Sequence, residues 1–157
     1  MAILFLMCGM TGSGKTTLAR PLEAKYAALR LCPDAWMARL GLDGRDQVRR
    51  TEIELMQLEL AGQVLARGCD VILECGFWSR AERDAARAVG QGAGADVRLI
   101  YVDTPPHEIL HRIAERNAAL PPDSFRVEPH EIDEWWPMFE PPTPDEQPIL
   151  ISRNAVL

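Results

Sequence analysis

Three observations in this 157-residue sequence predict an α/β fold, a parallel sheet wrapped by helices. Short apolar runs alternate with helical patterns through residues 1–118, the rhythm of strand–helix–strand units. The first run, Ala2-Ile3-Leu4-Phe5-Leu6-Met7-Cys8, is apolar without alternation, as a strand covered on both faces must be. It leads into Gly9-Met10-Thr11-Gly12-Ser13-Gly14-Lys15-Thr16 and then into the helix-forming Leu18-Ala19-Arg20. The pattern G-x-x-x-x-G-K-[ST] between strand and helix is a phosphate-binding loop. The expected architecture is therefore a three-layer P-loop NTPase fold, with a parallel five-stranded sheet and a lid insertion before the last strand.

The remaining elements follow in chain order. The first helix is predicted from Gly14-Lys15 to about Ala28, with a local distortion at Pro21. Leu29-Arg30-Leu31-Cys32 reads as a short second strand stopped by Pro33. Residues 45–67 form the longest helical pattern. Ile53, Met56, Leu60 and Val64, widened by Leu58 and Leu65, make its core-facing stripe, and Gly68 is expected to end it as a left-handed cap. Val71-Ile72-Leu73-Glu74-Cys75 is the third strand. Ser79 with Glu82 three residues on has capping-box register for a helix to about Val89. A glycine-rich loop from Gly90 to Gly94 leads to the fourth strand, Val97–Val102, and Pro105-Pro106 opens a helix to about Asn117. Pro148-Ile149-Leu150-Ile151-Ser152 reads as the fifth strand.

Between these last two elements the composition changes. Eight of the 12 prolines lie between Pro121 and Pro148. Residues 128–146 carry seven acidic side chains and no Lys or Arg, so this stretch contributes −7 to a net charge of −6 and the rest of the chain sums to +1. Residues 119–147 are expected to be a lid-like insertion in a single domain spanning 1–157, with one short amphipathic helix carrying Ile132, Trp135, Trp136 and Phe139. The competing reading is a solvated loop. Local acidity argues against a general nucleic-acid surface. No apolar run approaches the roughly 18 residues of a membrane span. The first segment reads as strand and loop rather than signal peptide. Cys8, Cys32, Cys69 and Cys75 lack metal-type pairing and fit a reducing cytoplasm.

The loop implies its ligand. Glycines let N–H groups curl around a polyphosphate where a Cβ would collide with oxygens, and the helix start adds a positive dipole end. Gly9, Met10, Thr11, Gly12, Ser13, Gly14, Lys15, Thr16 and Thr17 are the candidate nucleotide-binding residues. Lys15 is suited to the β- and γ-phosphates and Thr16 to Mg²⁺.

Ligands of parallel sheets sit beyond the carboxyl ends of strands. Asp34 and Trp36 follow the second strand. Glu74, Phe77, Trp78 and Arg80 follow the third, and Asp103 the fourth. Arg112 and Arg116 share a helix face. For Asp34, proton acceptance competes with capping a helix that begins at Ala35. For Glu74, holding Mg²⁺ or its waters competes with a buried ion pair. For Arg112 and Arg116, contact with a transferring phosphoryl group competes with pairing to Glu108 and Glu115. Trp36 and Trp78 read either as core or as walls of an acceptor pocket.

Gly9 to Thr17, Asp34, the segment Glu74-Cys75-Gly76-Phe77-Trp78-Ser79-Arg80 and the segment His111-Arg112-Ile113-Ala114-Glu115-Arg116-Asn117 together carry a resemblance over nearly the whole chain. The sequence resembles the small P-loop kinases related to chloramphenicol phosphotransferase, zeta toxin and the kinase domain of polynucleotide kinase. The resemblance implies ATP and Mg²⁺ as cofactors, Asp34 as the base that takes the acceptor proton, and Arg112 and Arg116 as arginines on the transferring phosphates. With Lys15 these are the candidate catalytic residues. Thr16 and Glu74 are the candidate metal residues. Three functions follow as expectations: a kinase acting on a small-molecule hydroxyl, a 5′-hydroxyl kinase for a nucleic-acid end, and a nucleotide-dependent ATPase without acceptor, for which Gln47, Gln57 and Gln63 offer no visible link to the loop.

Overall fold

The structure is a computed structural model that describes residues 1–151, so Ser152, expected at the end of the fifth strand, lies outside the described residues. Five parallel strands, β1 (Ile3–Cys8), β2 (Leu29–Leu31), β3 (Val71–Gly76), β4 (Asp96–Val102) and β5 (Ile149–Ile151), run in the order β2-β3-β1-β4-β5. Between them lie α1 (Lys15–Tyr26), α2 (Pro33–Arg39), α3 (Gln47–Leu65), α4 (Arg80–Gly92), α5 (Pro106–Ala119) and α6 (Pro129–Trp135), with single 3₁₀ turns at Trp136–Met138 and Pro144–Glu146.

Alternation along β1 sorts its side chains into two layers. Leu4, Leu6 and Cys8 join Ala61 and Leu65 of α3 and Ala86 of α4 on one face, while Phe5 and Met7 join Ala19 and Leu22 of α1 on the other. Both faces are covered, which is why β1 is apolar at every position. Because β1 is central and the chain departs first to β2 and later to β4, the crevice at its carboxyl end is the switch point where such sheets bind ligands. A third apolar cluster ties the two ends of the chain together. Met10 of the loop packs with Ile109 and Ile113 of α5, with Val127 ahead of α6 and with Ile132 within it.

Helix α1 runs through Pro21 as expected, and both Pro21 and Thr17, whose carbonyl loses its donor, are exposed to water. Other expectations are corrected. Helix α3 buries Ile53, Gln57, Ala61 and Leu65, whereas Met56 is exposed and Leu60 and Val64 are half-buried. Small Ala61 lets a four-residue ridge lie close to the sheet, and that ridge includes a glutamine, which hid it from a pattern built on apolar residues. Gly68 ends α3 as expected: just past Ala66, where the regular helix stops, it turns left-handed at φ +82°, its N–H bonds the Leu65 carbonyl at 2.9 Å and the next N–H, of Cys69, bonds that of Val64 at 3.4 Å. Gly90 and Gly92 belong to α4 rather than to a loop. The Ser79–Glu82 capping box forms as expected.

The acidic insertion is pinned by arginines. Arg83, itself 1% exposed, donates to both Glu146 carboxylate oxygens (2.6 and 3.0 Å) and to the carbonyls of Phe77 (3.0 Å) and Glu140 (2.9 Å). Arg45 holds Glu131 through two bonds of 2.8 and 2.9 Å. Arg80, expected near the site, instead holds Asp145 at 2.7 Å and Thr143 at 3.1 Å. The acids of residues 128–146 are thus internal fasteners as much as a solvated face.

Candidate active site

The loop from Gly9 to Gly14 leaves β1 and delivers Lys15 as the first residue of α1. Gly14 precedes that helix at φ 106°, and a Cβ there would lie 2.9 Å from Arg112 Nη1. Gly12, at φ +81°, faces Ile113, whose Cγ1 would stand 2.8 Å from an added Cβ. Glycine is therefore required at both positions by backbone sign and by neighbours from α5. No acidic residue occupies the first turn of α1, so nothing opposes an anion at its N-terminus.

Lys15 donates to the carbonyls of Gly9 and Met10, both at 2.8 Å. Burial lowers its pKa, and the carboxylates of Glu74 and Asp34 work against that fall. Glu74, buried at the end of β3, accepts from the Thr16 hydroxyl and from Arg30 Nη1 at 2.7 Å. Arg30 also bonds Glu23 of α1 at 3.0 Å. The ion-pair reading of Glu74 is thus realised, and the same carboxylate touches Thr16.

Asp34 does not cap a helix starting at Ala35. Cys32 takes that place, Pro33 opens α2, and Asp34 sits in the first turn, where its Oδ1 accepts from Arg50 of α3 at 2.6 Å. Arg112 donates to the Ser13 carbonyl at 2.6 Å and to Glu108 at 2.7 Å. Arg116 has no such carboxylate among the described residues. Glu115 pairs with His111, and the Arg116 Nε is buried with no hydrogen-bond partner among the described residues. Desolvation lowers its pKa, with Asp34 acting in the opposite direction.

One cleft of about 1300 Å³ collects these groups: Gly12 to Thr17, Asp34, Glu74, Arg112 and Arg116 all line it. Trp78 is in its wall, as the pocket reading expected. Trp36 is not, and packs against the larger core cluster. Asp103 is exposed and accepts from the Tyr101 hydroxyl at 3.2 Å. Sequence reasoning missed the opposite wall: Arg50, Glu54 and Leu55 of α3, Phe125 over Gly44, and Trp135 of α6, whose ring lies 5.9 Å from that of Trp78. The polar residues Gln47, Arg50, Thr51 and Glu54 at three- and four-residue steps were the available signal.

A phosphate loop at the switch point of a 2-3-1-4-5 parallel sheet defines a P-loop nucleotide-binding fold. A profile described as AAA domain matches residues 4–142, and the chain belongs to that family. By sequence, no curated protein matches. Among solved structures, a provisionally assigned kinase from Chloroflexus aurantiacus is 21% identical, with 95% of this chain and 86% of that one covered at a TM-score of 0.75. A gluconokinase from Sinorhizobium meliloti is 15% identical over 99% and 83% of the two chains, TM-score 0.65. A chain of the Pnkp1/Rnl/Hen1 RNA repair complex is 19% identical over 87% and 43%, TM-score 0.74. At these identities the likeness is one of fold.

The donors fit Mg²⁺. Thr16 and Glu74 present hard oxygens in mutual contact beside the loop. Among the described residues no group of three or more His, Cys, Asp and Glu is arranged to hold a metal. That sparse set suits an ion that keeps waters and phosphate oxygens as its remaining ligands. Among the described residues, no helix is long and apolar enough to cross a membrane.

Proposed function

We propose that this protein transfers the γ-phosphoryl group of ATP to a hydroxyl of a small molecule, with Asp34 as general base. The observation that carries the reading is the continuity of the cleft, which runs from the phosphate loop past Asp34 to α3 and α6. A hydrolase without acceptor has no use for that second compartment.

In this reading the loop N–H groups and Lys15 bind the β- and γ-phosphate oxygens. Lys15 exchanges the carbonyls of Gly9 and Met10 for phosphate, a stronger charge-assisted acceptor. Thr16 and Glu74 would hold Mg²⁺, which supplies charge neutralisation to the phosphates when bound. Arg50 occupies Oδ1 of Asp34, so the acceptor hydroxyl approaches Oδ2. Its oxygen attacks the γ-phosphorus in line, its proton passes to Asp34, and the bond to the β–γ bridging oxygen breaks, leaving ADP and a phosphate monoester. Arg112 and Arg116 spread the charge that develops on the γ-oxygens. Proton transfer is late in a loose transition state, so Asp34 serves as a correctly placed proton acceptor and need not be a strong base.

Residues 1–157 act as a single kinase-like domain in this reading, with 119–147 as the cover that excludes water. The free thiols suit a cytoplasmic setting. The test is Asp34→Asn. Acceptor phosphorylation should fall about 10²–10⁴-fold while ATP affinity by calorimetry stays within a few-fold. Full turnover on a proven acceptor would remove Asp34 from the chemistry.

A further inference from the structure

The wall of the cleft away from the phosphate loop has an uneven charge inventory. Its arginines are matched by carboxylates: Arg50 by Asp34 at 2.6 Å, Arg45 by Glu131 at 2.8 Å, and Arg126 by Glu128 at 2.7 Å. Arg116 differs, but it projects from α5 one turn beyond Arg112, which itself holds the loop carbonyl of Ser13. Glu82 is occupied as the cap of α4, accepting the Ser79 N–H at 3.2 Å. Glu54 is left over. It lines the cleft from α3, is half-buried, and has neither a hydrogen bond nor an ion pair among the described residues. Although Arg50 lies one turn before it, that guanidinium is committed to Asp34. Burial raises the Glu54 carboxyl to about 7; Arg50 opposes the rise, and Glu82 and Asp34 add to it. The Cys75 thiol is the further titratable group near it, held neutral by burial. Trp78 and Trp135, 5.9 Å apart at 50°, line the same cleft.

A carboxylate without a partner in a poorly solvated, aromatic-lined cavity is unfavourable alone and is stabilised by a cation that brings donors to it. We infer that the acceptor is an amino alcohol, its hydroxyl directed to Asp34 and its ammonium group held by Glu54 beside Trp78 and Trp135. This rests on the phosphotransferase reading and names its substrate class. The ammonium stays protonated and takes no part in transfer, so the hydroxyl is the only nucleophile. A phosphate-bearing acceptor such as a nucleic-acid end finds no unmatched arginine on this wall and meets Glu54 instead.

The experiment is an ATP-dependent phosphorylation assay with amino sugars and aminocyclitols, each beside its neutral N-acetyl counterpart, with a 5′-hydroxyl oligonucleotide as the anionic probe. Phosphate gain is read by mass, and kcat and KM are measured from pH 5.5 to 8.5. The expected result is a kcat/KM at least about ten-fold higher for the amines, expressed in KM, rising as pH passes through about 7 and Glu54 ionises. Glu54→Gln should erase the preference and flatten the profile, and Glu54→Asp should restore part of it, with thermal melts showing that both variants are folded. If neutral or anionic hydroxyl compounds are phosphorylated as well as the amines, or if Glu54→Gln keeps the preference, the amine assignment falls and the phosphotransferase reading survives. If no hydroxyl compound gains phosphate from protein that binds ATP, both fall.

Discussion

Replacing Arg83 with methionine tests how the insertion is held. Arg83 and Glu146 are both buried, with side-chain exposures of 1% and 0%, and they meet through two charge-assisted bonds of 2.6 and 3.0 Å. Arg83 also serves two carbonyls, those of Phe77 at 3.0 Å and Glu140 at 2.9 Å. Met keeps the apolar stem and deletes the charge, leaving the buried Glu146 with Arg80 at 3.9 Å and the Thr143 N–H at 3.0 Å in place of two short guanidinium bonds. Breaking one side of such a buried pair costs about 3–5 kcal/mol. For a domain of this size each kcal/mol shifts Tm by about 2–4 °C, so Arg83→Met should lower it by about 6–20 °C. Urea unfolding followed by tryptophan fluorescence gives the same quantity independently. The double variant Arg83→Met with Glu146→Met removes both charges and should recover most of the loss. A single-variant cost below about 1 kcal/mol, or a double variant no better than the single, would refute the view that this pair holds the insertion.

Other outcomes follow from the same geometry. Lys15→Ala should reduce ATP affinity by more than about 100-fold in calorimetry with an unchanged melt, because its partners in the free protein are carbonyls that water can serve. Arg116→Ala should lower kcat by about 10²–10³-fold without lowering Tm, since the burial that pushes this guanidinium's pKa down is removed with it. Gly12→Ala should cost about 2–4 kcal/mol, by strain at φ +81° and by collision with Ile113, measured by chemical denaturation. Acid should loosen the insertion first. The bond from Arg45 holds Glu131 below the usual carboxylate range, and at Glu146 the Arg83 pair outweighs the upward push of burial. Both folded values are depressed, so their stabilisation is complete above about pH 4.5 and is lost as pH falls through the lower folded values. Proteolysis between residues 119 and 147 at pH 3 to 5 reports it.

What could be read in advance was whatever local chemistry decides. The phosphate loop, the Ser79–Glu82 cap and β1, buried from Leu4 to Cys8, are each specified within ten residues, and the structure contains all three. Asp34 was legible as a residue at a strand's end but not as one held by Arg50, because that bond spans 16 positions and joins two helices whose packing no local pattern encodes. The same holds for the acidic insertion. Composition shows seven carboxylates and no Lys or Arg across residues 128–146; Arg126 beside that stretch holds Glu128, but Arg45, Arg80 and Arg83, which hold Glu131, Glu140, Asp145 and Glu146, lie 60 or more residues earlier. Helix α3 was legible at Ile53, Leu58, Leu60, Val64 and Leu65, which are buried or pack against the core, and not at Met56, which is exposed. Its most buried ridge includes Gln57, whose amide atoms find no partner among the described residues, so that ridge looks more polar than its neighbour.

The phosphate loop is gripped from the far side of the chain. Arg112 bonds the Ser13 carbonyl, the Thr104 hydroxyl donates to the same oxygen at 2.9 Å, and Ile113 fills the space that Gly12 leaves. Met10 extends the contact through Ile109 and Ile132 to α6, and α6 is fastened to Arg45 ahead of α3. Loop, α5 and α6 therefore share one apolar cluster beside the cleft, and Arg45 ties α6 to the segment ahead of α3. A phosphate that draws Arg112 from the Ser13 carbonyl acts on a helix whose buried face is continuous with the acceptor wall. In the phosphotransferase reading, nucleotide binding and acceptor binding are coupled through that face. An acceptor bound in the presence of ATP should then be held more tightly than in its absence, by the same factor with which it tightens ATP. Calorimetric titrations run in both orders measure the two factors, and unequal or unit values would break the coupling.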